Sequence, residues 1–478
     1  MVFSSIVFLF YFLPLVMLLY FASGKSNLVI LLASLVFYAW GEPEYVALLV
    51  AFIVFNWLAG LAIASRGGRR RTAILAATIS GNVLFLVFFK YLGFIVGQLD
   101  TILTAWGISP IAVRPIALPL GISFFTFQGM SYLIDIYRGE VVAQRNLLTF
   151  ATYKAMFPQL IAGPIVRYRQ IAGKIERRRV SLFRLQYGII LFIVGMSQKV
   201  LIANTVAVPA DEVFGLASSD LTLPAAWLGV VCYTLQIYFD FAGYSNMAIG
   251  MGHMMGFGYP PNFNRPYVSQ SITEFWRRWH ISLSTWFRDY LYVPLGGNRR
   301  GQLRTYVNLF LVFVICGFWH GASWTFAIWG LWHGGFLVVE RMGFANLLRR
   351  CWRPFRHVYV MMAVTLGWVF FRCDNLSDAI GYLGAMFGLG TASATALPLV
   401  RYAPPSVWMV IAIGCVFAVL RSPGVRSIAP RWRPADARDA ASGMVMQAGT
   451  SAACLALLVL SALVLATGSF NPFIYFRF

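Results

Sequence analysis

Residues 317–335 read GFWHGASWTFAIWGLWHGG and set two imidazoles, His320 and His333, among tryptophans, glycines and aliphatic side chains. Imidazole changes charge near neutral pH, so it can take a proton from a hydroxyl or a thiol and return it. In lipid an ionisable group is costly, and it marks a working site by default. His320 is therefore the candidate general base. His333, toward the far end of the stretch, reads as a structural hydrogen-bonding residue. Ser323 and Trp324 follow His320 closely and can donate hydrogen bonds, which an oxyanion formed in acyl transfer would need. They are cavity-lining candidates.

Two further stretches carry polar chemistry. YTLQIYFDFAGYSNMAIGMG, 233–252, places Asp240 in an apolar run. A carboxylate there costs several kcal/mol unless it is paired. Asp240 thus either belongs to an ion pair or lines a cavity, and the sequence leaves both open. FWRRWHISLSTWFRDYLYVPLGGNRRG, 275–301, holds His280 beside Arg277 and Arg278, then Asn298 and Arg299 after two glycines. Mixed aromatic and basic residues suit a helix at the membrane interface, and a glycine-rich basic turn can receive phosphate groups. Ser271 or Thr273 can cap the helix that begins SITEF. His280 is expected near the cytoplasmic side, away from His320 in depth. No metal-protease, Walker, nucleophile-elbow or dinucleotide signature is present. No cluster of His, Cys, Asp and Glu suggests a metal, and the six scattered cysteines read as small apolar packing residues.

The elements that must position these residues are transmembrane helices. Of the 478 residues 59% are hydrophobic and 12% charged, against about 25% charged in a soluble globular chain. The expected class is all-α, one polytopic helical bundle over 1–478 around a central cavity. A span needs about 20 apolar residues. About ten are expected, near 3–21, 27–41, 44–64, 73–96, 116–136, 181–205, 223–251, 357–372, 405–421 and 443–468. The N-terminal run has no basic residue before its apolar core and reads as a retained first span rather than a secretory signal.

The net charge of +21 excludes no binding class by itself. Its placement in the short links between apolar runs, however, is the positive-inside pattern and not a nucleic-acid patch. Basic groups cluster at 66–71, 167–179, 341–356 and 421–438, the last including Arg421, Arg426, Arg431 and Arg433. If these face the cytoplasm, both termini lie outside. The segments 147–163 and 305–341 must then enter and leave on one side. An arm of about 15 residues reaches only about 22 Å, so 305–341 is expected as a re-entrant hairpin that turns at Gly317–Gly321 within the bilayer. Residues 252–304 form the expected cytoplasmic-side interfacial or re-entrant region, and 421–440 a cytoplasmic link.

These motifs resemble those of the membrane-bound O-acyltransferase superfamily, most closely its bacterial alginate O-acetyltransferase branch. The stretches that carry the resemblance are MVFSSIVFLFYFLP, PLGISFFTFQGMSYLIDIYRG, FPQLIAGPIVRY, the Asp240 and His280 segments above, GFWHGASWTFAIWGLWHG and the ending NPFIYFRF. The resemblance implies that His320 is the hallmark histidine of the FWHG motif and His280 the second histidine of the branch. It implies acetyl-CoA as the donor substrate, with no resident cofactor. It also implies passage of the acetyl group across the inner membrane, through a periplasmic SGNH-type partner, to an exported polysaccharide of alginate-like or cellulose-like kind. Arg277, Arg278, Asn298 and Arg299 are candidates for holding the donor. Related members transfer D-alanine toward teichoic acid, which stands as one alternative. A transporter or flippase of a lipid-linked sugar is another, with Lys90, Asp135, Lys199 and Asp240 lining its path, and a scaffold that only recruits a periplasmic enzyme is a third.

Overall fold

The computed structural model describes residues 1–111, 116–161, 163–389, 398–420, 437–468 and 474. The expected link at 421–440, with Arg421, Arg426, Arg431 and Arg433, lies for the most part outside the described residues. So does the ending NPFIYFRF apart from Ile474. Every regular element among the described residues is helical. Seven helices there are long and apolar enough to cross a membrane: Pro43–Ser65, Gly68–Ala105, Leu182–Phe214, Leu223–Met254, Gln302–His320, Arg353–Arg372 and Ala448–Ala466. Phe8–Ala22, Asn27–Gly41 and Pro405–Val419 are apolar but shorter. The all-α membrane class expected from composition is therefore met, with seven full-length candidates in place of about ten.

The chain packs as two compact units. The first comprises Met1, Tyr11–Arg179 and Phe318–Ser323. Helices Val46–Ser65, Gly68–Leu86 and Ile122–Arg138 meet at a polar point. Asn82 Nδ2 donates to Asn56 Oδ1 at 3.2 Å, and Asn56 Nδ2 donates to the carbonyl of Phe52 at 3.0 Å. Gly129 of the third helix lies so close that a Cβ there would sit 2.6 Å from Asn56 Oδ1. In hydrocarbon such side-chain amides hold helices together because no water competes for them. The buried Lys154 of helix Leu147–Ala155 donates to the carbonyl of Phe125. The expected span at 116–136 is a helix over Ile122–Arg138, bounded at each end by a left-handed glycine, Gly121 (φ 75°) and Gly139 (φ 77°).

The second unit comprises Val2–Phe10, Val180–Gly317 and Trp324–Phe478. Its spine is an antiparallel pair, Leu182–Ser197 against Leu223–Met254. A Cβ on Gly188 would come within 2.5 Å of the carbonyl oxygen of Gly250, and one on Gly195 within 2.5 Å of that of Gly243. The converse contacts, from Gly250 and Gly243, are both 2.6 Å. Lipid tails are as apolar as leucine, so membrane helices gain from close backbone approach, which only small residues allow. The same line of contact continues into a buried ion pair, Lys199 Nζ to Asp240 Oδ1 at 2.7 Å.

The segment carrying His320 departs from expectation. The first helix of the hairpin runs over Gln302–His320, 19 residues, and at 1.5 Å per residue it spans about 28 Å rather than 22 Å. It is a crossing-length helix, so the short-arm reason for stopping it mid-bilayer does not hold. Gly317 does not turn the chain. It is helical and packs against the second helix, Trp324–Val339. A Cβ on Gly317 would meet the carbonyl oxygen of Phe326 at 2.2 Å, and one on Gly330 that of Phe313 at 2.3 Å. The turn falls at residues 321–323.

Replacing Gly195 with Leu forces the backbones of the spine apart. The thermal unfolding midpoint of the detergent-purified protein is expected to drop, with an overpacking cost at the upper end of about 1–3 kcal/mol. Gly384→Ala, in a helix with no atom within 4 Å of the new methyl, is expected to hold or slightly raise the midpoint.

Candidate active site

His320 is the last residue of its helix and is 2% exposed. The last four carbonyls of any helix lack intrahelical partners. In a membrane interior each costs several kcal/mol if left bare. Here three of the four are supplied from one place. Tyr91 donates its hydroxyl to the carbonyl of Phe318 at 2.7 Å. Lys90 donates from Nζ to the carbonyl of Trp319 and, at 3.2 Å, to that of His320 itself. Lys90 also donates to Ser123 Oγ at 3.3 Å. A cationic donor suits this end of a helix, where the backbone dipole is negative. The ring of Trp319 packs on Phe124 and Phe127 with centroids 5.6 and 5.3 Å apart, and the His320 ring lies edge-on to it at 4.8 Å. The backbone that carries the imidazole is thus pinned from the carbonyl side and wedged from the indole side. Ser323 belongs to the same compact unit and is half-buried. Trp324, in the other unit, is 51% exposed.

His280 belongs to the second unit. It sits at the start of helix Ile281–Phe287 in a left-handed conformation, φ 40° and ψ 57°, that costs a non-glycine residue about 1–3 kcal/mol. Asn262 holds the strained turn. Its carbonyl accepts from the Ile281 amide at 2.9 Å, and its Oδ1 accepts from the Ser282 amide and hydroxyl at 3.1 and 2.9 Å. Asn262 Nδ2 in turn donates to Ser245 Oγ at 3.0 Å. The His280 ring is fully buried, edge-on to Phe241 at 4.6 Å. Burial favours the neutral ring and pushes its pKa down to about 3.

The other sequence candidates divide. Asp240 is in the ion pair with Lys199, and its Oδ2 accepts from the Ile474 amide at 2.9 Å. That is the structural alternative the sequence left open, with a lysine of the preceding helix as the partner. Arg278 is tied to Glu274 at 2.8 Å, and Ser271 caps their helix by accepting from the Glu274 amide. Arg277 lines two adjoining cavities. Asn298 is exposed and accepts from the Tyr292 hydroxyl, and Arg299 is exposed. The glycine turn before them is held by Asn308, whose Nδ2 donates to the carbonyls of Leu295 and Gly297 at 3.3 and 3.2 Å. His333, expected to hydrogen-bond, instead sits in an aromatic box. Trp276 and Trp329 lie 5.2 and 5.1 Å away, and neither ring nitrogen meets a hydrogen-bond partner among the described residues. Among the described residues no group of His, Cys, Asp and Glu is placed to hold a metal. Sequence reasoning missed Lys90 and Tyr91 as supports of the His320 backbone. It also missed Asn262 and Asn308, whose signals were only polar residues in otherwise apolar or glycine-rich company.

The model of the membrane-bound O-acyltransferase family matches residues 140–377. The chain is 44% identical to the "probable alginate O-acetylase" of Azotobacter vinelandii and 43% identical to that of Pseudomonas putida, over the whole of both chains in each case. It is 34% identical to the peptidoglycan O-acetyltransferase of Helicobacter pylori over 82% of this chain and 81% of that one.

Lys90→Met keeps the bulk and removes the donors. Each buried carbonyl left bare is expected to cost about 1–3 kcal/mol, read as a lower thermal midpoint that Lys90→Arg partly restores. For His280 the unfolded chain takes up its proton near 6.5 and the folded chain only near 3. Its contribution to stability is therefore complete above that upper value and declines as pH falls through the window. His280→Asn, which tolerates the left-handed turn, is expected to flatten that acid-side loss in thermal melts followed downward from neutral pH.

Proposed function

As a member of the membrane-bound O-acyltransferase family, the chain is a multi-pass O-acyltransferase, and we propose that it takes acetyl groups from acetyl-CoA on the cytoplasmic face of the inner membrane. On this reading it passes them outward for O-acetylation of an exported polysaccharide, alginate-like or cellulose-like, through a periplasmic SGNH-type partner. Both termini then face the periplasm, as the basic links at 66–71, 167–179 and 341–356 favour.

The observation that carries this reading is the buried imidazole of His320 at the end of a membrane-length helix, with its backbone fixed by Lys90 and Tyr91. An acceptor hydroxyl is a poor nucleophile until a base takes its proton as it attacks. His320 receives that proton as the new C–O ester bond forms at the thioester carbon. The tetrahedral oxyanion collapses, the C–S bond breaks, and the imidazolium returns the proton to the departing thiolate. The gain from such a base depends on its position, because a displacement of about 1 Å can cost a hundred-fold in rate. The pinned backbone suits that demand. Ser323, which follows His320 closely in sequence, is the candidate hydroxyl to serve the oxyanion. His280, buried and held neutral by its surroundings, is the second catalytic candidate.

Transport of a lipid-linked sugar draws less support. Of the polar residues considered for its path, Lys90 caps a helix, Lys199 and Asp240 pair with each other, and Asp135 lies 3.9 Å from Arg169. Each has an internal structural partner. D-alanyl transfer toward teichoic acid has the weaker relatives, 30% identical to the Bacillus subtilis teichoic acid D-alanyltransferase over 43% of this chain.

His320→Ala, with membrane abundance matched to wild type by immunoblot, is expected to lower polysaccharide acetylation by about a hundred-fold or more. Wild-type acetylation in that variant removes His320 as the base.

A further inference from the structure

In the first unit, helix Gly68–Leu86 opens with three cations at its positive end. Arg69, Arg70 and Arg71 fall in the first turn, which holds no acidic residue. A helix dipole disfavours cations at that end, and the three guanidiniums also repel one another. The carboxylates at the nearby end of helix Ile122–Arg138 give no relief. Asp135 lies 3.9 Å from Arg169, and Glu140 is paired with Arg169 and Arg138. Among the described residues no carboxylate comes within ion-pair distance of Arg66, Arg69, Arg70 or Arg71. The arrangement calls for an anion from outside the chain.

Arg69 and Arg71 line one hollow of about 770 Å³, together with Thr72, Tyr137, Ala73 and Ala76. Arg71 is held in place there. Its Nη2 donates to the carbonyls of Ile136 and Tyr137 at 2.8 and 2.9 Å, and its guanidinium lies 5.3 Å from the centroid of the Tyr137 ring. The Tyr137 hydroxyl and Thr72 Oγ1 share a hydrogen bond at 3.0 Å. Nη1 of Arg71 takes part in none of these bonds, and its buried Nε has no hydrogen-bond partner among the described residues. Arg69 is exposed. Guanidiniums present forked donors that fit phosphate oxygens. Positions 69, 72, 73 and 76 lie on one helix face, so the hollow runs from the arginines down to two alanines whose small side chains leave a groove. Further along, the helix enters a crossing-length span on which Leu84 and Phe88 are exposed, as they are where a helix faces lipid.

We propose that this hollow binds an anionic phospholipid, its phosphodiester between Arg69 and Arg71 and one acyl chain along the groove at Ala73 and Ala76. A basic hollow at the end of a membrane helix is suited to such a headgroup, and the groove that leads from it into the span is suited to the chain. A zwitterionic headgroup brings its own cation against the arginines and fits less well. The lipid would neutralise the crowded first turn and, through Arg71, brace the last carbonyls of helix Ile122–Arg138. The opposite end of that helix carries Ser123, which accepts from Lys90, and Phe124 and Phe127, which pack on Trp319. The site requires nothing of the acyl donor or acceptor, so its failure leaves the acyltransferase reading as it stands.

The purified full-length protein in detergent micelles is titrated with phosphatidylglycerol or with phosphatidylcholine of the same acyl chains, and the rise in thermal midpoint gives an apparent affinity for each. Wild type is expected to prefer phosphatidylglycerol by about ten-fold or more. Arg69→Gln, which removes an exposed cation with no structural bond, is expected to weaken phosphatidylglycerol by about five-fold. Arg70→Gln removes the same charge from a residue that does not line the hollow, and is expected to stay within about two-fold of wild type. Ala76→Leu fills the groove and leaves every charge in place, and it is expected to weaken phosphatidylglycerol as well. Equal affinities for the two lipids in wild type overturn the proposal. So does an equal loss in Arg69→Gln and Arg70→Gln, which marks a diffuse attraction in place of a site. Soluble glycerol phosphate that stabilises wild type as well as phosphatidylglycerol does overturns the assignment to a lipid, because the chain then contributes nothing.

Discussion

A helix that ends inside or at the edge of lipid must find donors for its terminal carbonyls, and in this chain that requirement fixes the backbone of His320. The carbonyls of Phe318, Trp319 and His320 receive the donors of Tyr91 and Lys90. Without them the last turn would unwind toward whatever donor it could reach, because bare carbonyls in hydrocarbon cost more than the loss of a turn of helix. The imidazole is consequently the end point of a rigid rod rather than a residue on a loose loop. On the proposed reading of His320 as the base, that rigidity holds it where a hydroxyl and a thioester would have to meet.

The rest of the fold is organised to keep such polar points few and closed. Glycine seams at 188/250 and 195/243 bring backbones together, and the Lys199–Asp240 pair ends the seam as an internal contact. Gly317 and Gly330 do the same for the two helices of the histidine hairpin. Lys90 and Lys199 both lie in π-helical turns, Val87–Tyr91 and Gln198–Ala203. Such a turn adds a residue and rotates the side chains that follow it, a feature found often at working sites. In each case the rotation accompanies a lysine that reaches a buried acceptor, so the local irregularity of the helix and the placing of the charge are one device.

What the sequence made legible was what depends on composition and local pattern. Apolar runs marked most spans to within a few residues, Ser271 capped the helix that SITEF announced, and His320 and His280 stood out as imidazoles in aromatic company. What escaped was set by long-range contact or by backbone geometry. Lys90 meets His320 across 230 residues, and no local signal pairs them. Asp240 was visible as costly, but nothing local named its partner, Lys199, which lies in the preceding helix. The left-handed backbone at His280 has no sequence signature in a residue that carries a Cβ. Gly317 misled for a physical reason: glycine breaks helices in water, yet in a membrane it is the residue that lets two helices touch.

The two buried histidines of the motifs pose different physical problems, and the difference bears on their roles. His280 is held by a strained turn that Asn262 stabilises, outside the crossing-length helices, in surroundings that oppose its protonation. A ring kept neutral so firmly is a poor resting place for a proton, and it is better suited to orienting a group through its lone pair or N–H than to carrying charge through a cycle. His320 has its positional freedom removed at the backbone by Lys90 and Tyr91 and stands at the end of a crossing-length helix. The structure thus fixes the two imidazoles by different means, His320 through the carbonyls of its helix end and His280 through the side chain of Asn262.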